Sequence, residues 1–257
     1  MKRLHFVFDK TTKKAQNLKK LILRRHENFS PKKSDCIVVA GGDGFMLSAL
    51  KRYSKTKKPF YGINCGTFGF LMNKYISTNV EKKINKARRV SINPLELIAV
   101  SKNNKKRKLM AINEVSLFRE SRQTASLRLK VGKKIIIKKL IGDGVLVSTP
   151  AGSTAYNLSV HGPILSLNSG KLAITPISPF RPRRWKGKII SNKLTVEINN
   201  LNSRKRPIAV VADNIEVRNV KRLKIRTNKR VKIDLLYDRD RSLVKRIKIE
   251  QLRRNTK

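Results

Sequence analysis

The chain has 257 residues, and its 61 Lys and Arg against 16 Asp and Glu leave a formal net charge of +45. Hydrophobic residues make up 39% of the sequence, which is enough to form the core of one large domain or two smaller ones. This composition excludes an acidic disordered chain, a collagen and a small secreted scaffold held together by disulfides.

The first part of the chain, from Lys2 to about Asn93, alternates between segments typical of strands and of helices. Strands are predicted at Leu4–Phe8, Cys36–Ala40 and Phe60–Asn64, and helices at Thr11–His26, Phe45–Tyr53 and Val80–Ala87. Strands separated by helices imply a parallel sheet with crossover connections. We therefore predict an α/β domain over residues 1–93.

From Pro94 onward the pattern changes to short β-branched segments separated by turn residues. Strands are predicted at Leu95–Val100, Ala111–Phe118, Ser126–Val131, Lys134–Leu140, Gly144–Ser148, Lys188–Ile198, Ile208–Ala212, Arg222–Arg226 and Val231–Tyr237. Many short strands at close spacing predict an antiparallel β-sandwich over residues 94–241. The apolar spacing in Ser242–Leu252 predicts a closing helix, and we expect residues 242–257 to pack back on the first domain.

The positive charge is distributed in pairs along the whole chain, whereas nucleic-acid arms usually concentrate it in one block. A solvated surface accounts for this pattern best, and a basic nucleic-acid-binding protein remains the alternative from charge alone. Cys36 and Cys65 form no C-x-x-C pair, and the sequence has no zinc-site spacing. No apolar run is long enough to span a membrane or to form a signal-peptide core. We expect a reduced, cytoplasmic protein, mature from Met1, with no membrane partner.

The first motif with chemical content is Gly41-Gly42-Asp43-Gly44, between a predicted buried strand and a predicted helix. Ligands of open α/β sheets bind at this carboxyl edge, where glycines and a helix N-terminus favour phosphate. Asp43 itself must face a hydroxyl or a metal ion. The alternative is a tight turn with a helix-capping aspartate. The motif also occurs in kinases that phosphorylate hydroxyls of sugars, lipids and nucleotides.

A second block identifies the family that this chain resembles. Residues 143–156, which read Asp-Gly-Val-Leu-Val-Ser-Thr-Pro-Ala-Gly-Ser-Thr-Ala-Tyr, are similar to the signature of NAD kinases. The stretch Asn64–Leu71 and the pair Asn113-Glu114 also resemble motifs of that family. Its architecture, an α/β domain followed by a β-sandwich, agrees with the pattern of predicted elements.

The resemblance implies transfer of the γ-phosphoryl group of ATP to the 2′-hydroxyl of the adenosine ribose of NAD, with a divalent cation such as Mg²⁺. Asp43 would be the catalytic base, and Gly41, Gly42 and Gly44 would bind phosphate. The implied NAD-binding residues are Asp43, Gly44, Asn113, Glu114, Asp143, Ala151, Thr154, Ala155, Tyr156, Asn157, Leu158 and Ser159. The partners implied are NAD, ATP and further copies of the chain in a homodimer or homotetramer. A specific nucleic acid is not expected.

Several of these residues have structural alternatives. Glu114 can cap or pair with a surface lysine, and Asp143 can shape a hairpin turn. Asp213 can serve in a turn or across strands as readily as at a site. The segment Ser178–Trp185 is expected to be a connector or subunit contact rather than a phosphate- or RNA-binding loop. Two departures from the commonest family pattern, Phe45 after the first motif and Ala151 in the second, remove no proton acceptor.

Overall fold

A computed structural model of the chain describes residues 2–67 and 69–239. These residues form two compact units, one made of residues 2–92 and 231–239 and the other of Asn93–Arg230. The predicted helix at Ser242–Leu252, and the packing expected of residues 242–257, lie outside the described residues. No helix among the described residues is long and apolar enough to cross a membrane.

The first unit is built on a sheet of five strands: β1 (Leu4–Phe8), β2 (Cys36–Gly41), β3 (Phe60–Asn64), β4 (Arg88–Ile92) and β17 (Ile233–Tyr237). Their order in the sheet is β1-β2-β3-β17-β4. The first four strands in that order run parallel, and β4 is antiparallel to β17. Every residue of β2 is buried, as expected for a strand covered on both faces of a parallel sheet.

Three α-helices accompany this sheet: α1 (Lys13–Leu23), α2 (Asp43–Tyr53) and α3 (Val80–Lys86). The apolar residues of α1 recur at helical spacing, and Ala15, Leu18 and Ile22 are all buried. They share one core cluster with Val80 and Ile84 of α3. The predicted α/β domain is therefore confirmed, and β2 leads directly into α2 at the first glycine motif.

The second unit consists of two six-stranded sheets. The strands are β5 (Leu95–Ser101), β6 (Lys106–Ala111), β7 (Glu114–Arg119), β8 (Ala125–Val131), β9 (Lys134–Gly142), β10 (Gly144–Ser148), β11 (Lys171–Ile177), β12 (Lys188–Ser191), β13 (Val196–Asn200), β14 (Ile208–Ala212), β15 (Ile215–Val217) and β16 (Val220–Thr227). One sheet has the order β6-β5-β16-β13-β8-β9 and the other the order β12-β11-β10-β7-β14-β15. One four-residue helix, α4 (Tyr156–Ser159), follows β10.

A single hydrophobic core joins the two sheets of this unit, and it includes Leu97 of β5, Leu129 of β8 and both Val115 and Leu117 of β7. Side chains alternate along a strand, so the residues between these core positions point to the other face. On β7 that other face carries Glu114, Ser116 and Phe118, and we call it the site face. The predicted β-sandwich is confirmed as the architecture of the second unit.

The strands β4, β6, β11 and β15 were not predicted, and three predicted strands differ from the structure in sheet membership or in bounds. The strand Ile233–Tyr237 lies in the first sheet, although we predicted it within residues 94–241. The predicted strand Lys188–Ile198 is two strands, β12 and β13, in different sheets. The predicted strand Ala111–Phe118 is likewise divided, because the chain passes from one sheet to the other between Ala111 and Glu114. All three segments do form strands, as their apolar residues predicted. The sheet to which a strand belongs, however, depends on pairing partners that are far away in sequence.

Candidate active site

Asp43 lies at the carboxyl end of β2 and is the first residue of α2. The N-cap position is held by Gly42, and no side chain caps the helix, so the helix-capping alternative for Asp43 is wrong. Its carboxylate instead accepts hydrogen bonds from the amides of Phe70 at 2.7 Å and Leu71 at 3.0 Å. Asp43 therefore connects the first glycine motif to the stretch that follows β3.

The glycines of the first motif differ in what surrounds them. A Cβ atom on Gly41 would lie 2.7 Å from Cδ1 of Phe45, so close packing accounts for this glycine. A Cβ atom on Gly42 or Gly44 would meet nothing within 4 Å. Neither of these two has a positive φ, and the fold of the first unit does not require glycine at either position. The open space beside their backbone suits a ligand that approaches closely.

The loop after β3 lies beside the first glycine motif, at the carboxyl edge of the sheet. Cys65 donates its amide to the carbonyl of Gly41 at 2.9 Å, which ties the ends of β2 and β3 together. A Cβ atom on Gly69 would lie 2.9 Å from Oδ1 of Asp43, so glycine is needed there for the loop to approach the carboxylate. Both predicted glycine stretches thus meet at the edge where ligands of parallel sheets bind.

In the second unit, Asn113 and Glu114 stand where the chain passes from one sheet to the other. Asp213 accepts hydrogen bonds from the amides of Ile112 at 2.8 Å, Asn113 at 2.9 Å and Glu114 at 3.4 Å. Its own amide donates to the carbonyl of Glu114 at 3.1 Å. Thr149 donates to the two remaining carbonyl oxygens of the segment. Its amide donates to the carbonyl of Asn113 at 2.9 Å, and its hydroxyl donates to the carbonyl of Ile112 at 2.8 Å.

The side chains of this pair are left with unused hydrogen-bonding capacity. Oδ1 of Asn113 and Oε2 of Glu114 are buried and have no hydrogen-bond partner. Burial, and then the charge of Asp213, raises the pKa of Glu114 to about 8. Glu114 is only 8% exposed, so its carboxyl group does not lie on the surface, where the alternative placed a lysine partner. Most buried polar atoms in folded proteins are hydrogen-bonded, so these two oxygens are available to a ligand or to water.

The predicted NAD-binding loop follows β10 and lies next to this pair. Its residues form a 3₁₀ helix at Gly152–Thr154 and then α4. A Cβ atom on Gly152 would lie 2.2 Å from the carbonyl oxygen of Asn113, so only glycine permits this approach. Ala151 and Thr154 are buried, Ala155 and Leu158 are partly buried, and Ser159 is exposed.

Tyr156 is the aromatic residue of this loop and is partly buried. Its ring lies 5.7 Å from that of Phe118 on the site face. Burial raises the pKa of Tyr156, and the nearby carboxyl groups of Asp143 and Glu114 raise it further. Three predicted site residues, Glu114, Asp143 and Tyr156, are therefore neighbours in the structure.

Asn157 anchors the loop. It is fully buried; its amide nitrogen donates to the carbonyls of Ser153 and Pro163, and its amide oxygen accepts from the hydroxyl of Thr175 at 2.7 Å. These bonds fasten α4 to β11. Asn157, which we predicted to bind NAD, is therefore part of the loop, but its side chain is bonded to other residues of the protein.

Asp143 stands between β9 and β10, which belong to different sheets. The alternative of a hairpin turn is therefore wrong, since a hairpin joins neighbours of one sheet. Its Oδ1 lies 2.5 Å from Nε of Arg119, and its side chain is 38% exposed. Asn113 and Asp143 thus occupy similar places in the fold, because each lies where the chain passes from one sheet of the sandwich to the other.

The site residues are divided between the two units. The structure brings Asp43 together with its glycines in the first unit, and Asn113, Glu114 and the Tyr156 loop together in the second. Asp213, Thr149 and Phe118 were not predicted as site residues, although the sequence allowed Asp213 a place at a site as readily as in a turn or across strands. Among residues 2–67 and 69–239, no group of three or more His, Cys, Asp or Glu side chains could hold a metal ion.

An α/β unit with glycine-rich loops at the carboxyl edge of a parallel sheet, followed by a sandwich with buried free acceptors, defines a nucleotide-binding protein. Residues 3–88 match the ATP-NAD kinase N-terminal domain, and residues 112–233 match the ATP-NAD kinase C-terminal domain. The chain belongs to the NAD kinase family, and its function is that of an NAD kinase. The predicted resemblance is confirmed.

Relatives and solved structures agree with this assignment. An NAD kinase of Brucella suis is 43% identical over 250 residues, covering 97% of each chain. An NAD kinase of Rhizobium meliloti is 47% identical over 224 residues, covering 87% of each. The fold is similar to that of yeast NADH kinase complexed with NADH, with a TM-score of 0.85 and 19% identity over 100% of this chain and 89% of that one. An NAD kinase from Archaeoglobus fulgidus in complex with ATP has a TM-score of 0.74 and 22% identity, over 97% and 98% of the two chains.

Proposed function

We propose that this NAD kinase transfers the γ-phosphoryl group of ATP to the 2′-hydroxyl of the adenosine ribose of NAD, forming NADP and ADP. The observation that carries the proposal is Asp43, a carboxylate held by two backbone amides between glycines that leave open space. Phosphoryl transfer needs positioning, neutralisation of phosphate charge and an acceptor for the hydroxyl proton. The first unit offers an acceptor in a fixed position.

Asp43 acts as the proton acceptor. Its two oxygens accept the amide N–H groups of Phe70 and Leu71, which hold the carboxylate in one orientation. The ribose hydroxyl donates to a carboxylate oxygen of Asp43 and transfers its proton to it as the hydroxyl oxygen bonds to the γ-phosphorus. The bond from the γ-phosphorus to the bridging oxygen breaks, and ADP leaves. The amides of Phe70 and Leu71 keep the carboxylate from rotating away.

The backbone at Gly42 and Gly44 binds phosphate. The space beside both residues is open, and α2 begins there with the positive end of its dipole. Gly41 supports this edge by close packing against Phe45. Mg²⁺ is the cation we propose, since it binds through substrate phosphates with few protein ligands. When bound, it would neutralise the phosphate charge.

Substituting the glycines separately tests this division of roles. We expect Gly44→Ala to keep or raise stability, by up to about 1 kcal/mol, because alanine is the better helix former. Its KM for ATP should rise about tenfold or more, since one lost hydrogen bond to a charged group is worth about 1.5–3 kcal/mol. Gly41→Ala is the matched comparison and should lose stability through its clash with Phe45. Thermal unfolding and steady-state kinetics on both variants measure this, and unchanged kinetics for Gly44→Ala would contradict phosphate binding there.

NAD binds against the second unit through Asn113, Glu114 and the loop from Ala151 to Ser159. The buried free oxygens of Asn113 and Glu114 supply directional hydrogen bonds to the ribose or the adenine edge. Ala151, Thr154, Ala155, Leu158 and Ser159 contribute backbone and side-chain surface, and Asn157 holds the loop in place. Asp143, partly exposed beside Tyr156, orients the nicotinamide end or its ribose.

The ring of Tyr156 supplies an aromatic surface for the dinucleotide. We expect Tyr156→Ala to weaken NAD binding by about 1–3 kcal/mol, the range known for aromatic stacking on a base. Tyr156→Phe is the control, because it keeps the ring beside Phe118 and removes only the hydroxyl. Titration calorimetry with NAD measures both. If Tyr156→Ala binds NAD as tightly as the wild type, the ring serves only to pack against Phe118.

The reaction itself is tested with purified protein, ATP, Mg²⁺ and NAD. NADP formation is followed through an NADP-specific dehydrogenase, which does not respond to NAD. Parallel reactions with inorganic polyphosphate and with NADH identify the preferred donor and acceptor. Absence of NADP with every donor would overturn the proposal.

We also propose that the protein is cytoplasmic and acts as a homodimer or homotetramer. Support for both comes from the resemblance to the family, and the free, buried thiols of Cys36 and Cys65 fit a reducing compartment. Nucleic acid is not proposed as a partner. The positive surface instead attracts anionic substrates such as ATP and NAD by long-range steering.

A further inference from the structure

Asp213 occupies an unusual backbone position. It follows β14 in the two-residue connection to β15, and its φ is +53°. Glycine, asparagine and aspartate are the residues that adopt this left-handed conformation most readily. The turn accepts any of the three, and only aspartate supplies two accepting oxygens there.

The carboxylate gathers the amides of three consecutive residues, Ile112, Asn113 and Glu114. Buried amides without acceptors cost about 1–3 kcal/mol each, so this segment depends on a partner with two accepting oxygens. Together with Thr149, Asp213 satisfies every backbone group from the Ile112 amide to the Glu114 carbonyl. The backbone of the segment is thus fully fixed, while the buried oxygens Oδ1 of Asn113 and Oε2 of Glu114 have no partner.

We propose that Asp213 is a positioning residue for NAD binding, which presents Asn113 and Glu114 to the nucleotide as one rigid pair. This inference rests on the proposed function, in which those two side chains contact NAD. Asp213 itself faces the backbone of the segment and acts through it. Pre-formed contacts bind more tightly because little freedom is lost when the ligand arrives.

The position of Asp213 also determines the form in which Glu114 meets its ligand. Among the residues that the structure describes, Asp213 on the β14–β15 connection and Tyr156 on α4 interact electrostatically with Glu114, and Asp143, which pairs with Arg119, interacts with Tyr156. Burial and the Asp213 charge hold the pKa of Glu114 at about 8. Glu114 is therefore a neutral acid at pH 7 and donates a hydrogen bond to an acceptor on NAD. Asn113 accepts one beside it.

The test compares Asp213→Asn with Glu216→Gln, a matched loss of one carboxylate from the exposed Glu216–Arg218 pair on the same hairpin. NAD affinity is measured by calorimetry from pH 6 to 9.5, and kcat by the coupled assay. We expect Asp213→Asn to weaken NAD binding about 10–100-fold at pH 7, as for buried hydrogen bonds to charged groups. We expect kcat to change less than about threefold. The control should match the wild type.

The pH profile separates positioning from a general loss of structure. Wild-type affinity should fall as pH rises past about 8, because ionised Glu114 can no longer donate. In Asp213→Asn the fall should begin at lower pH, since one negative charge beside Glu114 is gone. Glu114→Gln keeps a donor that does not ionise and should show no fall. Glu114→Gln also tests the inference if Asp213→Asn does not fold. If the NAD affinity of Glu114→Gln falls with pH as that of the wild type does, the inference is overturned.

The inference and the proposed function fail differently. If Asn113→Ala and Glu114→Ala lose NAD affinity while Asp213→Asn keeps both affinity and pH profile, Asp213 is not a positioning residue and the proposed function stands. If Asn113→Ala and Glu114→Ala bind NAD as the wild type does, the pair does not contact NAD, and the proposed NAD site itself is wrong.

Discussion

Asp43→Asn is expected to lower kcat by about 10²–10⁴-fold, the usual contribution of a general base. Asparagine has nearly the same size and can still accept one of the amides from Phe70 and Leu71. It cannot take up the proton of the ribose hydroxyl. The loss should therefore fall on kcat, with a much smaller change in NAD affinity. The coupled NADP assay and calorimetry measure the two quantities on one preparation.

A control for this substitution is available in the same unit. Asp35→Asn removes a carboxylate that accepts the amide of Arg3 on the exposed surface, and it should leave turnover unchanged. If pure, folded Asp43→Asn turns over at the wild-type rate, Asp43 is not the base. A rise in KM for NAD with kcat intact would assign Asp43 to substrate binding alone.

Glu114→Gln should stabilise the protein against unfolding above pH 8, by on the order of a few kcal/mol. The pKa of Glu114 is about 8 in the folded protein and near 4.5 when the chain is unfolded. Between these values the folded protein binds more protons than the unfolded chain, so the free energy of unfolding falls as pH rises. Glutamine fills the same space and carries no charge to bury.

The comparison is made by urea unfolding of both proteins at pH 5 and pH 9, without nucleotide. The stability difference should be small at pH 5, where most Glu114 is protonated in the folded protein, and large at pH 9. Glu216→Gln again serves as the control, since its exposed ion pair contributes little. A difference of the same size at both pH values would show that Glu114 is not held neutral by the fold.

The elements that the sequence predicted best are those with purely local signals. The strands Leu4–Phe8, Phe60–Asn64 and Gly144–Ser148 begin and end at the predicted residues. Each is a short apolar run bounded by polar or turn residues, so no distant partner is needed to recognise it. The glycine motif at Asp43 is local in the same sense, because strand, turn and helix are consecutive.

The parts that were not predicted depend on residues that meet only in the folded chain. Asp213 contacts a segment 99 to 101 residues earlier, and nothing beside it in sequence indicates that partner. The strand Ile233–Tyr237 is a short apolar segment like the strands of the sandwich, yet it pairs with Phe60 and Tyr61 of β3. The raised pKa of Glu114 likewise comes from tertiary burial, which residue type alone cannot indicate.

The position of β17 in the first sheet affects the order in which the two units can fold during synthesis. The chain leaves the first unit at Ile92, forms the second and returns at Val231. Because β17 lies between β3 and β4, the first sheet lacks an internal strand until residue 237 has left the ribosome. The second unit is complete once Arg230 has emerged. Domains usually fold in the order of their synthesis. Here the unit that begins second is finished first, and after the end of β3 at Asn64 about 170 residues are translated before β17, the strand that joins β3 to β4, is complete.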